Sequence, residues 1–114
     1  MIKMYGIKNC DSVRKAVKFL KTHEIDFTFH DTRESPVDAA EIQKWIERGA
    51  SIKQLFNTRG TTYRTLKLKE KNLDDSGKLA YMAKENMLIK RPVILSGDKI
   101  LLGYNESLFQ EYLA

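Results

Sequence analysis

The pattern of apolar and polar residues at the start of the chain predicts a strand, a helix and a second strand. Residues 2–7 are mostly apolar and predict a short buried strand. Residues 25–30 alternate between apolar and polar, which is the period of a second strand. Between them, apolar residues recur with the i, i+3, i+4, i+7 spacing of an amphipathic helix that reaches about His23, namely Val13, Ala16, Val17 and Leu20. The chain therefore opens with a β-α-β unit whose crossover is long enough for parallel pairing.

The middle of the chain has the pattern of several short helices. Asp38 follows Pro36 and begins a second helix, for which Gly49 is the stop signal. Ser51 can cap a short turn, and residues 63–68 predict another short helix. Asp74, Asp75 and Ser76 then precede a longer helix whose buried stripe is Leu79, Met82, Ala83 and Met87.

The last quarter of the chain predicts a hairpin followed by a helix. Two apolar runs, 93–95 and 100–102, flank Ser96-Gly97-Asp98-Lys99, and Asn105 caps a final helix. The predicted order is β-α-β, a helical insertion and β-β-α. We therefore expect an α/β fold with a thioredoxin-like mixed sheet, as one domain over residues 1–114 with the insertion at about residues 37–89.

Composition excludes several classes of protein. The 114 residues carry a net charge of +5, but the cations are interleaved with acids, as in residues 67–71, and do not alternate with aromatics. We therefore expect a solvated surface and no direct contact with nucleic acid. The apolar runs are too short for a membrane span, and an export signal and a second cysteine are both missing, so we expect a cytoplasmic protein. No His, Cys, Asp and Glu cluster has metal-ligand spacing, and we expect no metal.

Candidate chemistry centres on Cys10, the single cysteine. It follows a predicted strand and stands where a helix begins, so unpaired backbone N–H groups and the helix dipole favour its thiolate. Ser12 offers a hydroxyl donor, and Lys8, Arg14 and Lys15 are nearby cations. The same geometry can bind an oxyanion. A lone cysteine is often only a small buried hydrophobe, but here its neighbours are polar, which favours the reactive interpretation.

A single thiol restricts the mechanism. Position 13, where a Cys-x-x-Cys motif has its second cysteine, is Val13. The chain cannot close an internal disulfide, so turnover at Cys10 requires a second thiol from glutathione or glutaredoxin. We expect no bound cofactor, with glutathione as co-substrate and a small oxyanion or a mixed disulfide as substrate.

Two arginines are further candidates. In a thioredoxin-like order, Pro92 stands where that fold places a cis-proline beside the reactive cysteine, and Arg91 directly precedes it. The Arg91 guanidinium would then face an oxyanion bound at Cys10. Arg59, in the loop formed by residues 57–60, is a weaker candidate because loop arginines are commonly just solvated.

Three segments resemble the ArsC/Spx family, and within it the YffB-like branch. They are residues 5–16 around Cys10, residues 88–93 around Arg91-Pro92, and residues 103–106 near the end, so the resemblance spans essentially the whole chain. It implies a thioredoxin-like fold with a helical insertion, a nucleophilic cysteine at Cys10 and an oxyanion-binding arginine at Arg91. Family members reduce arsenate with glutathione and glutaredoxin, or are proposed glutathione-dependent thiol reductases.

The chain departs from the arsenate reductases of that family in its arginines. Asn57 stands where the insertion would carry one, Arg59 is two residues away, and none follows Pro92. We therefore expect a glutathione-dependent thiol or arsenate reductase-like enzyme that uses Cys10. One alternative is an Spx-like regulator that binds RNA polymerase, which the basic surface favours. Another is a glutathione- or oxyanion-binding module without turnover.

Overall fold

The computed structural model describes residues 2–114, which form two compact units. The sheet unit consists of the chain up to Ser35 together with Arg91–Ala114, and the helical unit is Pro36–Lys90. In chain order the elements are β1 (Ile2–Gly6), α1 (Asp11–Thr22), β2 (Phe27–Asp31), α2 (Ala39–Glu47), α3 (Ile52–Leu55), α4 (Thr61–Thr65), a 3₁₀ turn (Leu68–Lys71), α5 (Asp75–Lys84), a second 3₁₀ turn (Asn86–Leu88), β3 (Val93–Ser96), β4 (Lys99–Leu102) and α6 (Glu106–Tyr112).

The sheet is mixed, with strand order β2-β1-β3-β4. β1 pairs in parallel with β2, with Ile2 opposite Phe27, and antiparallel with β3, with Met4 opposite Ile94. β3 and β4 form the predicted hairpin, in which Ser96 pairs with Lys99 across a two-residue turn. This β-α-β plus β-β-α arrangement confirms the predicted α/β, thioredoxin-like fold.

The core of the sheet unit lies between the sheet and two helices. α1 contributes Val13, Ala16, Phe19 and Leu20, α6 contributes Phe109, and the strands contribute Ile2, Met4, Ile94 and Leu101. The rings of Phe19 and Phe109 meet edge to face, with centroids 5.4 Å apart. This packing fixes α1, and with it the helix start at which Cys10 lies.

Four of the α-helices begin at a residue whose side chain caps them. Asp38, Ser51 and Asn105 each accept a hydrogen bond from the backbone N–H three residues on. Asp74 does the same for α5, and Ser51 forms a capping box with Gln54.

Three boundaries differ from the prediction. The second strand begins at Phe27 rather than at residue 25, because the Ile25 N–H still bonds the Leu20 carbonyl at the end of α1. The helix expected over 63–68 lies earlier in the chain: α4 runs from Thr61 to Thr65, and Lys67 adopts a left-handed φ of 53° that no helix continues through. α5 ends at Lys84, so Met87 lies in a 3₁₀ turn, in which Leu88 is the fully buried residue.

Within residues 2–114, no helix is long and apolar enough to cross a bilayer.

The helical unit is organised around Asn86, which is buried. Its side chain accepts from the Val37 N–H at 2.8 Å and donates to the carbonyls of Val37 and Met82 at 3.1 and 2.9 Å. These bonds tie the start of the unit to α5 and to the 3₁₀ turn that follows it.

Candidate active site

Cys10 lies in the turn that joins β1 to α1. It is the N-cap of α1, with the extended dihedrals φ −148° and ψ 126° typical of that position, and its carbonyl accepts from the Arg14 N–H at 2.9 Å. No side chain caps α1. The N–H groups at the helix start are therefore left for the half-buried Cys10 sulfur.

Gly6 allows α1 to begin close to the end of β1. A Cβ added at Gly6 would lie 2.8 Å from a γ-methyl of Val13. Val13 is itself buried, so its side chain has little room to give way. The absence of a side chain at Gly6 thus brings the first turn of α1, and the Val13 N–H, into place beside Cys10.

The surroundings of Cys10 stabilise its thiolate. Burial alone would raise the pKa of the thiol, but the backbone N–H of Val13, the hydrogen bond and charge of the Arg91 guanidinium, and the backbone N–H of Ser12 together outweigh it, so the pKa of Cys10 lies below its ordinary value. Helix-start amides and one arginine are the two sources of stabilisation.

Arg91 reaches Cys10 from the strand side of the unit. It lies two residues before the start of β3, and the Arg91–Pro92 peptide bond is cis. The carbonyl of Pro92 accepts a 2.8 Å hydrogen bond from the N–H of Gly103, which follows β4 with a left-handed φ of 76°. The chain on both sides of the hairpin therefore holds the segment that presents the guanidinium.

The other predicted site residues have different surroundings. Ser12 acts on Cys10 through its backbone N–H, whereas the sequence had offered its hydroxyl. The Arg14 guanidinium forms an ion pair with Asp11 and also bonds Asn9 at 3.3 Å. The lowered pKa of Cys10 receives no contribution from Arg14, Lys8 or Lys15.

Arg59 belongs to the helical unit. Its backbone N–H donates to the Asn57 side chain at 3.1 Å, and its carbonyl accepts from the Arg64 guanidinium at 3.2 Å. Its own side chain is exposed. A role for Arg59 in substrate binding stays a prediction.

Gly103 lies in a segment that carries the family resemblance, but the sequence assigned it no role in the site. Its signal was the combination of a glycine directly after a strand and a capping asparagine two residues later, which marks a tight turn with a left-handed residue.

Among residues 2–114, no cluster of three or more His, Cys, Asp or Glu side chains could hold a metal ion. The site thus offers a stabilised thiolate and an adjacent guanidinium that can pair with an anion.

A family model, the ArsC family, matches residues 5–112, which include Cys10, Arg91 and Gly103. The chain belongs to the ArsC family. Its resemblance to this family, seen in the sequence segments around Cys10 and Arg91-Pro92, is therefore confirmed. The match extends over both the sheet unit and the helical unit.

Individual ArsC-family relatives are similar along the whole chain. An uncharacterized protein of Haemophilus influenzae is 42% identical over the full length of both chains. The solved structure of a YffB protein superposes with a TM-score of 0.91 at 30% identity, covering all of both chains. A structure described as a possible arsenate reductase from Streptococcus mutans reaches a TM-score of 0.78 at 33% identity, over 95% of this chain and 97% of its own.

A regulatory branch is similar at lower identity. The global transcriptional regulator Spx of Streptococcus pyogenes is 28% identical over 100% of this chain and 86% of its own. The chain is therefore similar both to a protein described as a possible arsenate reductase and to a protein named as a regulator.

Proposed function

We propose that this protein is a glutathione-dependent thiol reductase of the arsenate reductase type, with Cys10 as its only protein thiol. The observation that carries the proposal is the position of Cys10 at the start of α1, where the α1 amides and Arg91 stabilise its thiolate and lower its pKa. A thiolate is the nucleophilic form of cysteine, and it is favoured here without any second cysteine to oxidise. The arsenate reductase-like relative supports the same chemistry.

In the first step the Cys10 thiolate attacks the glutathione sulfur of a mixed disulfide. A bond forms between the two sulfurs, and the disulfide bond of the substrate breaks. The substrate thiol leaves as a thiolate, which makes it the reduced product, while Cys10 becomes glutathionylated. Arg91 can pair with a glutathione carboxylate in this complex.

In the second step an external thiolate restores the enzyme. A second glutathione, or the thiol of a glutaredoxin, attacks the glutathione sulfur bound to Cys10 and displaces the Cys10 thiolate. The low pKa of Cys10 favours this step also, because a thiol of lower pKa leaves faster. With glutathione as the donor, glutathione disulfide is the oxidised product. A reducing cytosol would supply the donor.

Arsenate can enter the same cycle as an oxyanion substrate. Cys10 would replace one arsenate oxygen, which leaves as water, and attack of glutathione on the Cys10 sulfur would release arsenite as the glutathionylated enzyme forms. Two electrons pass from the two thiols to arsenic. The chain offers Arg91 for the oxyanion, with Ser12, Arg14 and Arg59 as further candidates. Because Asn57 replaces an arginine of the arsenate enzymes, we expect mixed disulfides to be better substrates than arsenate.

The proposal is tested by coupled turnover. Purified protein is assayed with glutathione and glutathione reductase, using a glutathionylated peptide or arsenate as substrate and following NADPH oxidation. We expect turnover by the wild type with the peptide, slower turnover with arsenate, and none by Cys10→Ser. Equal rates for wild type and Cys10→Ser would refute the proposal, and protection of Cys10 from alkylation without product would instead indicate a binding module.

A second candidate is an Spx-like regulator, which the 28% identity to Spx favours. Val13 replaces the second cysteine of a Cys-x-x-Cys redox switch, so regulation through an intramolecular disulfide is not available here. A pull-down with the α subunit of RNA polymerase distinguishes the candidates. Saturable binding of that subunit, together with no reductase turnover, would favour the regulator hypothesis over the enzyme hypothesis.

A further inference from the structure

A groove lies along the outer side of α1, next to the edge strand β2. It has a volume of about 580 Å³, within the range of about 300–1,000 Å³ typical of binding pockets. Its floor is apolar: Val13 and Val17 from α1, and Phe27 and Phe29 from β2. β2 has only β1 as a neighbour in the sheet, so nothing beyond it in the sheet covers these rings.

The rim of the groove is cationic. Lys8, Arg14, Lys18 and Lys21 line it, and no lining residue is acidic. Arg14 is already paired with Asp11, and Lys8 also borders a neighbouring polar cavity that contains Asp31 and Glu34. Lys18 and Lys21 are exposed, and no described carboxylate lies within ion-pair distance of either. An occupant with its own carboxylates would therefore meet two cations that lack a counter-charge.

The groove begins beside Cys10. Val13 lines its floor and also donates its backbone N–H toward the Cys10 sulfur, and Arg14 bonds the Cys10 carbonyl through its backbone N–H. From Val13 to Thr22 the groove follows about 14 Å of helix, at about 1.5 Å per residue, which matches about four residues of extended peptide.

We propose that this groove binds a short acidic peptide segment of a partner protein, with apolar side chains on the floor and carboxylates at Lys18 and Lys21. The pattern of an apolar floor and a cationic rim is that of a docking groove for an amphipathic acidic segment. The inference goes beyond the proposed chemistry, since it does not require Cys10 to react.

Other occupants fit the groove less well. A second copy of this chain would bring the same cations against one another. Glutathione has carboxylates but no large apolar side chain, so it would leave the floor exposed. The rings of Phe27 and Phe29 are half-buried in the floor, which suits them poorly as stacking platforms for nucleic-acid bases.

The test uses a fluorescein-labelled octapeptide made of two Asp-Phe-Glu-Leu repeats, with binding followed by fluorescence anisotropy. We expect saturable binding that weakens with added salt, and at least about tenfold weaker binding to the Lys18→Glu/Lys21→Glu protein. The matched control, Lys53→Glu/Lys84→Glu, makes the same change in net charge on exposed lysines of the helical unit and should bind as the wild type does.

Two further comparisons test the floor and the chemistry of the occupant. Val17→Thr keeps the shape and the rim but adds a hydroxyl to the floor, and should weaken binding several-fold. A peptide with Asn and Gln in place of Asp and Glu should bind at least about tenfold more weakly, because it offers nothing to the two lysines. Equal binding of both peptides, or of both charge-reversed proteins, would overturn the proposal.

Other anionic macromolecules are the remaining outcomes. A twenty-nucleotide oligo(dT) and phosphatidylserine vesicles are measured against the same proteins. If either binds through Lys18 and Lys21 while the peptide does not, the groove is a nucleic-acid or membrane site and the proposal fails. Cys10→Ser should bind the peptide as the wild type does, so a failure of the reductase proposal would leave this result unaffected.

Discussion

The backbone N–H of Gly103 donates a 2.8 Å hydrogen bond to the carbonyl of Pro92. This bond joins the residue after β4 to the residue before β3, next to Arg91. The guanidinium that stabilises the Cys10 thiolate therefore depends on a backbone contact at the far end of the hairpin strands. Gly103 makes the contact in a left-handed conformation that most residues avoid.

Gly103→Ala should therefore affect both stability and reactivity. We expect a loss of about 1–2 kcal/mol in the free energy of unfolding, because a Cβ is strained in this conformation. Displacement of Pro92 should also shift the pKa of Cys10 upward, toward its ordinary value. Urea unfolding and the pH dependence of iodoacetamide alkylation measure the two effects.

Gly97→Ala is the matched control for Gly103→Ala. Gly97 is also left-handed, at the tip of the hairpin, where an added Cβ would meet nothing within 4 Å. It should lose stability to a similar extent without changing the alkylation profile. An altered Cys10 profile in both variants would show that hairpin strain in general, and not the Gly103–Pro92 bond, acts on the thiol.

Arg91→Met should raise the pKa of Cys10, since it removes both a hydrogen bond and a positive charge from the thiolate. We expect the alkylation rate near neutral pH to fall roughly two- to tenfold, with Arg91→Lys recovering part of the loss. Arg14→Met is the control, because the Arg14 guanidinium is bound to Asp11 and does not contribute to the lowered pKa. A larger effect from Arg14→Met than from Arg91→Met would contradict this assignment.

The lowered pKa of Cys10 also fixes how stability varies with pH. Between the folded pKa and the ordinary value near 8.5, the unfolded chain binds more protons than the folded one, so the contribution of Cys10 to stability increases with pH there. It is fully present above about pH 8.5 and is lost as pH falls through the folded pKa.

The free energy of unfolding is measured for the wild type and Cys10→Ser in parallel across this range. The wild type should gain stability relative to Cys10→Ser as pH rises. The change should stay below about 1 kcal/mol, because the half-buried site is screened by water. A difference that stays constant, or that shrinks with rising pH, would show that folding does not favour the thiolate.

Local signals in the sequence predicted most of the fold. Ser51 and Asn105 cap the helices that they were expected to cap, and α5 begins within the predicted segment of residues 74–76. The hairpin turn is also as expected, because each of these features depends on a few neighbouring residues. The bounds of α4 were missed because the left-handed conformation of Lys67 has no marker in its side chain.

The cation at Cys10 shows why the rest of the site was harder to predict. Sequence proximity pointed to Lys8, Arg14 and Lys15, whereas the thioredoxin-like order pointed to Arg91; in the structure Arg91, 81 positions from Cys10, acts on the thiol. Arg14 is nearer along the chain but is held by Asp11 on the same helical face, which is the i, i+3 pairing that a helix favours. The sheet register, which pairs Tyr5 of β1 with Val93 of β3, brings Arg91 close to the turn that contains Cys10.

Asn86→Leu should strongly destabilise the helical unit. Leucine has a similar size but loses three hydrogen bonds and leaves the N–H and carbonyl of the buried Val37 without this partner. We expect a loss of about 2–4 kcal/mol in the free energy of unfolding, measured in urea. Asn105→Ala, which removes one exposed capping bond, should cost only about 1 kcal/mol. Equal costs would mean that the buried network contributes no more than a single surface cap.

Val13→Cys should convert the site from a one-thiol to a two-thiol centre. Val13 lies within the first turn of α1, where its N–H already points toward the Cys10 sulfur, so a thiol there is close enough for a disulfide. Under diamide oxidation we expect a monomer lighter by two hydrogens with no free thiol, whereas the wild type can only form disulfides with other molecules. Val17→Cys is the control, because seven helical residues from Cys10 span about 10 Å, beyond the reach of a disulfide. Persistence of both thiols in Val13→Cys would show that the Cys10 sulfur does not face the helix start, which would remove the basis for its lowered pKa.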